Sequence, residues 1–326
     1  MNTMKWLIRR EFWEHKGALL WAPVIVGLVL VAFVGATTLW GAASGTVAHA
    51  GLYIDGQQVD IANTYAGMSA AQRDAMATTL ASSYLATSLP LFIMLAVIIF
   101  FYCLGAMADE RRDRSILFWK SLPLSDRATV LSKVATALAL APAITLVVAF
   151  ATSLAVLLIG ALVLAFKGIN LFGVLMIKPA LYLAPLELLA LLPVYALWAL
   201  PTVGWLLMVS AWARSKVFLW AVGIPALVGI ILKWTNFLAG AGLDPTWYVK
   251  HIVIRGLGSL VPGSWLMMES VPSPLLLDPA SHTVNLPGVL AQSYLTLAGP
   301  GMWVGVAAGV AMICAAIRLR RWRDEG

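Results

Sequence analysis

The chain has 326 residues, of which 61% are hydrophobic and only 11% charged, with a formal charge of +7 and a mean hydropathy of +0.88. Soluble domains carry roughly 25% charged residues, so this composition excludes a chain solvated on all sides. The basic excess does not point to nucleic acid, because Lys and Arg gather at the ends of apolar runs, the pattern that orients membrane proteins.

A bilayer span needs about 20 mostly apolar residues. Ahead of the first such run, residues 1–17 have a helical composition and an imperfect amphipathic pattern. Met4, Leu7, Ile8 and Phe12 share a face, Trp6 and Trp13 lie nearly opposite, and Glu11 interrupts the apolar stripe. The pattern reads as an interfacial entry helix with its tryptophans at headgroup depth; the plainer alternative is a frayed polar tail. The first span runs from Ala18 to about Trp40. It has no small-residue cleavage site and is expected to stay as a span rather than leave as a signal peptide. A polar stretch with Asp55, Asp60, Arg73 and Asp74 leads to a second span, from about Ala86 to Ala108. The most polar segment, residues 109–133, follows. The third span runs from about Val134 to Phe166 and the fourth from Leu181 to about Trp212. Both exceed the minimum, so they are predicted to tilt, kink or project beyond the hydrocarbon. A basic turn, Arg214-Ser215-Lys216, opens the fifth span, Val217 to about Leu232. Residues 244–296 are dense in Pro and Gly yet hold apolar pieces too short to span, Ile252–Ile254 and Leu257–Met268. They read either as re-entrant or interfacial helices covered by protein at membrane depth, or as an external cap. The sixth span runs from Leu297 to Ile317, and a basic tail, 318–326, closes the chain.

The expected fold is therefore an all-α polytopic membrane protein with a six-span block over residues 18–317. Sixteen Lys and Arg fall on the side of the two termini, the 109–133 loop and the 214–216 turn, against six on the other. The basic side is predicted to be cytoplasmic, with both termini there.

Chemistry of the chain's own is hard to find. There is no glycine-rich phosphate loop ending in Gly-Lys-Ser/Thr, no His-Glu-x-x-His pair and no Gly-x-Ser-x-Gly elbow, and the four histidines at 15, 49, 251 and 282 are scattered. No nucleophile stands beside a base, so no catalytic residue, metal or cofactor is assigned. Cys103 and Cys314 both fall in predicted spans and read as small buried hydrophobes rather than a disulfide framework.

Three features remain as site candidates. In the 109–133 loop, Arg111, Arg112 and Asp113 lead into an apolar strip with Ile116, Leu117 and Trp119, then a turn at Pro123 and a new helix for which Ser125 is the predicted N-cap. Such a strip either docks in a groove of another protein or rests on lipid headgroups. Glu187 is the acid placed inside a span, with Pro185, Pro193 and Pro201 around it. A charge at mid-bilayer costs roughly 3 kcal/mol, so Glu187 either contacts cargo in a pathway or is protonated near the outer interface. Gly301, Gly305 and Gly309 recur every fourth residue in span six and permit close helix packing, within the chain or at a dimer seam.

The charged run after span two, the Ile116-Leu117-Phe118-Trp119-Lys120-Ser121-Leu122-Pro123-Leu124-Ser125-Asp126 stretch and Lys133 together resemble the first cytoplasmic loop of the type-2 ABC exporter (ABC-2) permeases. The Arg9-Arg10-Glu11-Phe12-Trp13-Glu14 stretch is similar to that family's entry helix, and so is a six-span layout with a re-entrant element between spans five and six. The resemblance covers the whole topology through loose motifs. It implies a permease subunit of an ATP-driven exporter in a bacterial inner membrane, paired with a second, identical or homologous permease. ATP and Mg would be bound by two copies of a separate cytoplasmic ATPase, and Arg111, Arg112, Asp113, Ile116, Leu117 and Trp119 would be contacts to it. The implied cargo is an amphipathic or hydrophobic peptide, lipid or drug. The alternatives are an ion-coupled secondary transporter, which would normally carry several intramembrane ionisable residues or related half-repeats, and a membrane scaffold or sensor subunit.

Overall fold

The computed structural model describes residues 3–44, 53–54, 57–58, 67–113, 124–239, 245–277 and 283–323. Among these residues, six helices are long and apolar enough to cross a membrane. The reason is general: in lipid each backbone polar group must be satisfied within its own segment, and a helix does that over a continuous apolar run. The chain is an all-α polytopic membrane protein.

Helix α1 (Thr3–Glu14) turns through a π-helical step at Gly17–Trp21 into the first span, α2 (Ala22–Ala43). A short antiparallel pair follows, β1 (Tyr53–Ile54) and β2 (Gln57–Gln58), with Tyr53 opposite Gln58. Helix α3 (Ala70–Ser83) starts at a reciprocal cap in which Ser69 and Gln72 satisfy each other's backbone N–H. A 3-10 turn at Tyr84–Ser88 joins it to span two, α4 (Leu89–Arg112). Span three comprises α5 (Asp126–Ala135), a π-helical step at Thr136–Leu140 and α6 (Ala141–Phe166). Ser125 does cap α5, its side chain accepting from the Ala128 N–H at 3.2 Å. The short α7 (Phe172–Met176) precedes α8 (Pro179–Ala190) and α9 (Leu192–Trp212).

The apolar run of span four is thus two helices rather than one. The chain breaks at Leu191, and Pro193 opens the first turn of α9. A proline there removes an N–H that the first turn does not need, so the break costs little. Span five, α10 (Val217–Ala239), and span six, α16 (Pro300–Arg323), both run longer than the apolar windows. Between them lie α11 (Pro245–Tyr248), a π-helical step to Ile254, α12 (Arg255–Gly258), α13 (Ser264–Met268), α14 (Ser273–Leu276) and α15 (Leu286–Leu295).

Span four is the centre of the bundle. It packs along span six more extensively than any other pair of elements, and next along span two. The approach is close because Gly204 and Gly309 face each other: a Cβ on Gly309 would lie 2.9 Å from the carbonyl of Leu200, and one on Gly204 2.6 Å from the carbonyl of Gly309. Span one lies on span three, where Gly27 leaves room for Thr152. Three polar tips fasten the segment between spans five and six to the same hub. The Tyr195 hydroxyl donates to the Leu260 carbonyl at 3.2 Å, the Trp198 indole to Thr296 at 3.1 Å, and Thr202 to the Arg255 carbonyl at 3.3 Å. Thr202 sits ten residues into α9, so the segment contacts span four as far as the middle of that helix.

Candidate functional site

Both described termini, residues 109–113 and 124–133, and the 214–216 turn meet at one end of the bundle, the basic end. Four charged side chains from four separate elements are buried there. Glu11 of α1 is 0% exposed, Lys133 of α5 1%, Arg320 of α16 3% and Glu110 of α4 5%. Unpaired, each would be prohibitive, and the geometry pairs them. Lys133 Nζ lies 3.0 and 3.2 Å from the two Glu11 oxygens and 2.9 Å from Glu110 Oε1. The Tyr102 hydroxyl donates to Glu11 Oε2 at 2.8 Å. Arg320 binds Glu110 Oε2 at 2.7 Å through Nη1 and Asp126 at 3.2 Å through Nε. Arg10 lies 3.5 Å from Glu110 and 3.2 Å from Glu14. Basic and acidic groups alternate from the entry helix, through the ends of spans two and three, to the end of span six.

A second clamp ties in span four. A helix leaves its last carbonyls without intrahelical partners, and Arg111 takes up those of α9. Its guanidinium donates to the carbonyls of Ser210 (2.5 Å), Ala211 (2.6 Å) and Ala213 (2.9 Å). Ser210 answers by donating to the Leu104 carbonyl at 2.7 Å. One unit therefore holds the entry helix and the basic ends of spans two, three, four and six.

This changes the place of several predicted residues. Glu11, which looks in sequence like a flaw in an amphipathic stripe, is the anchor of α1. Leu7 is buried one turn before it, while Trp6 and Trp13 are exposed. Arg320, expected in a basic tail, lies inside a continuing helix. Arg111 is engaged within the chain, whereas its neighbours Arg112 and Asp113 face outward from the end of α4. Ile116, Leu117 and Trp119 lie outside the described residues.

Glu187 sits on α8, beyond the Leu191 break and far from the ion network. It lines a cavity of about 540 Å³ with Thr78, Thr79 and Ser82 of α3 and with Asn285. An apolar cavity of about 470 Å³ adjoins it, walled by Leu95, Leu146, Leu188, Tyr195 and Trp265, with Ser82 and Leu286 common to both. The glycines of span six serve contacts inside the chain: Gly309 meets the backbone of span four, and Gly301 and Gly305 meet the Arg255 guanidinium.

Comparison of the chain with protein-family models, with curated proteins and with solved structures finds no match.

Proposed function

We propose that this chain is the membrane-spanning subunit of an ATP-driven exporter of the type-2 ABC kind, its ATP hydrolysed by a separate subunit that docks on the basic end. The observation that carries the reading is the buried ion network. A motor below a membrane can move helices only through a handle that does not yield, and here the two flanks of the 109–133 loop are rigidly joined to four spans and the entry helix. Force applied to that loop reaches spans two, three, four and six together. The charge asymmetry supports a cytoplasmic basic end. Arg112 and Asp113, exposed at the loop's entrance, are the docking contacts, followed by Ile116, Leu117 and Trp119. At the other end, the polar cavity with Glu187 next to an apolar cavity suits a cargo with one polar and one apolar part.

The test is a search of the neighbouring genes for a stand-alone ATP-binding-cassette protein, followed by co-purification of that protein with this chain. Arg112→Glu and Trp119→Ala are expected to lose the complex while the permease stays folded. Robust complexes with both variants would remove the docking assignment. Vectorial uptake of an amphipathic substrate into inverted vesicles, dependent on ATP and reduced in Glu187→Gln, would support the pathway.

A further inference from the structure

We infer that the groove between spans four, five and six is a binding site for an anionic phospholipid, with Arg255 as the group that holds its phosphate. The inference rests on the chain's being a membrane protein and does not depend on the exporter reading.

Arg255 stands at the wall between two cavities. One, of about 600 Å³, is an open apolar groove walled by Ile224, Ile252, Val304, Ala308 and Met312. The other, of about 210 Å³, is small and polar and is lined by Lys250, His251, Glu269 and Ser270. Arg255 and His251 border both. The guanidinium lies over the Trp198 ring at 4.6 Å and, among the described residues, donates one long hydrogen bond, 3.4 Å, to the Met302 carbonyl. Its Nε is buried without a hydrogen-bond partner, and among the described residues no carboxylate lies within 4 Å of it. The glycine stripe of span six makes the space: a Cβ on Gly305 would meet the guanidinium at 2.6 Å.

Arg255 is half-buried, and its buried Nε, which finds no acceptor among the described residues, favours one beside it. Of the groups facing the polar cavity, Lys250, His251 and Arg255 are basic and Glu269 alone is acidic, so the acceptor that fits is an anion. The groove beyond is apolar and flanked by exposed Trp247, Ile252 and Val304, so it faces lipid. One molecule satisfies both halves: a phosphate against Arg255, Lys250 and His251, with its acyl chain along Val304, Ala308 and Met312. Basic pockets between membrane helices recognise acidic headgroups in this way.

The experiment is native mass spectrometry of the full chain purified from bilayers with equal phosphatidylglycerol and phosphatidylcholine. The wild type is expected to retain phosphatidylglycerol preferentially. Arg255→Gln should cut the preference about tenfold, the effect of one charge-assisted hydrogen bond, and Arg255→Lys should keep part of it. Ala308→Trp, which fills the groove and leaves the cation, should lose it even if Arg255→Gln does not fold. Leu162→Trp, a bulky change on the exposed face of span three, should retain it. No preference in the wild type, or an equal preference in Arg255→Gln and Ala308→Trp, would overturn the inference. Displacement of the bound lipid by millimolar inorganic phosphate would mean that the site reads a free anion, which would overturn it too. A groove closed to both lipids by a second copy of the chain would do the same.

Discussion

Removing the Glu11 carboxylate should release the entry helix from the bundle. In Glu11→Ala, Lys133 keeps Glu110 at 2.9 Å but loses both Glu11 oxygens, and the Tyr102 hydroxyl loses its acceptor. Breaking a buried ion pair costs about 3–5 kcal/mol, and orphaning a buried hydroxyl about 1–3 kcal/mol. Because Lys133 retains one partner, the lower end of the first range applies, and the expected loss is about 3 kcal/mol. Since α1 is held through Leu7, this carboxylate and the Arg10 pair with Glu110, the loss should fall on local opening. Amide exchange in residues 3–14 should speed up by about two orders of magnitude, with little change in span four. The control is the double variant Glu11→Leu with Lys133→Met. Apolar side chains of similar size can replace a buried pair at little cost, and Glu110 keeps Arg320 at 2.7 Å. The double variant should therefore lose less than the sum of its parts by at least about 1.5 kcal/mol. Unchanged exchange in residues 3–14, or strictly additive single variants, would refute the claim that this pair holds the entry helix.

The glycine contact between spans four and six predicts an asymmetry along one stripe. Gly309→Val would drive a side chain into the backbone of Leu200 and Pro201, which cannot yield. It should cost at least about 3 kcal/mol in thermal or detergent denaturation, whereas Gly305→Ala meets only the movable end of Arg255 and should cost well under that. Adjacent arginines should separate in the same assay. Arg111→Gln uncovers three carbonyls at the end of span four and should destabilise by about 2 kcal/mol, while Arg112→Gln, exposed, should stay within about 0.5 kcal/mol of the wild type.

The six spans are legible because apolar run length is a local property, read directly from the chain. So is the Ser125 cap, whose signal is the residue itself at the start of a new helix. The break at Leu191 is not legible, since hydropathy continues through it and a proline near it suits a helix start as well as a kink. The π-helical steps leave no compositional mark at all. The ion network is hidden for a different reason. Its pairs join residues 11 with 133 and 110 with 320, and nothing local says which basic residue meets which acid. One signal was available: Glu11 lies one turn after Leu7 on the apolar face of α1. A charge in that position must be solvated or paired, and a helix docked through that face leaves only pairing.

Span four explains why the chain uses both polar and apolar fastenings. Packing of small residues, as at Gly204 and Gly309, brings helices close at a height where two glycines meet. Polar contacts elsewhere along the span add to it. At the basic end Arg111 caps the last carbonyls of the span, a contact with fixed height and direction. Along the other half Tyr195, Trp198 and Thr202 are hydrogen-bonded to particular groups of the segment between spans five and six. Span six is fixed the same way, by Arg320 on Glu110 and Asp126 at one end and by contact with Arg255 at the other. Polar contacts on both sides of it thus add to the axial register that the glycine contact sets. A change of register would have to break one of them, and the Arg255 contact, with the fewest hydrogen bonds, is where it would begin.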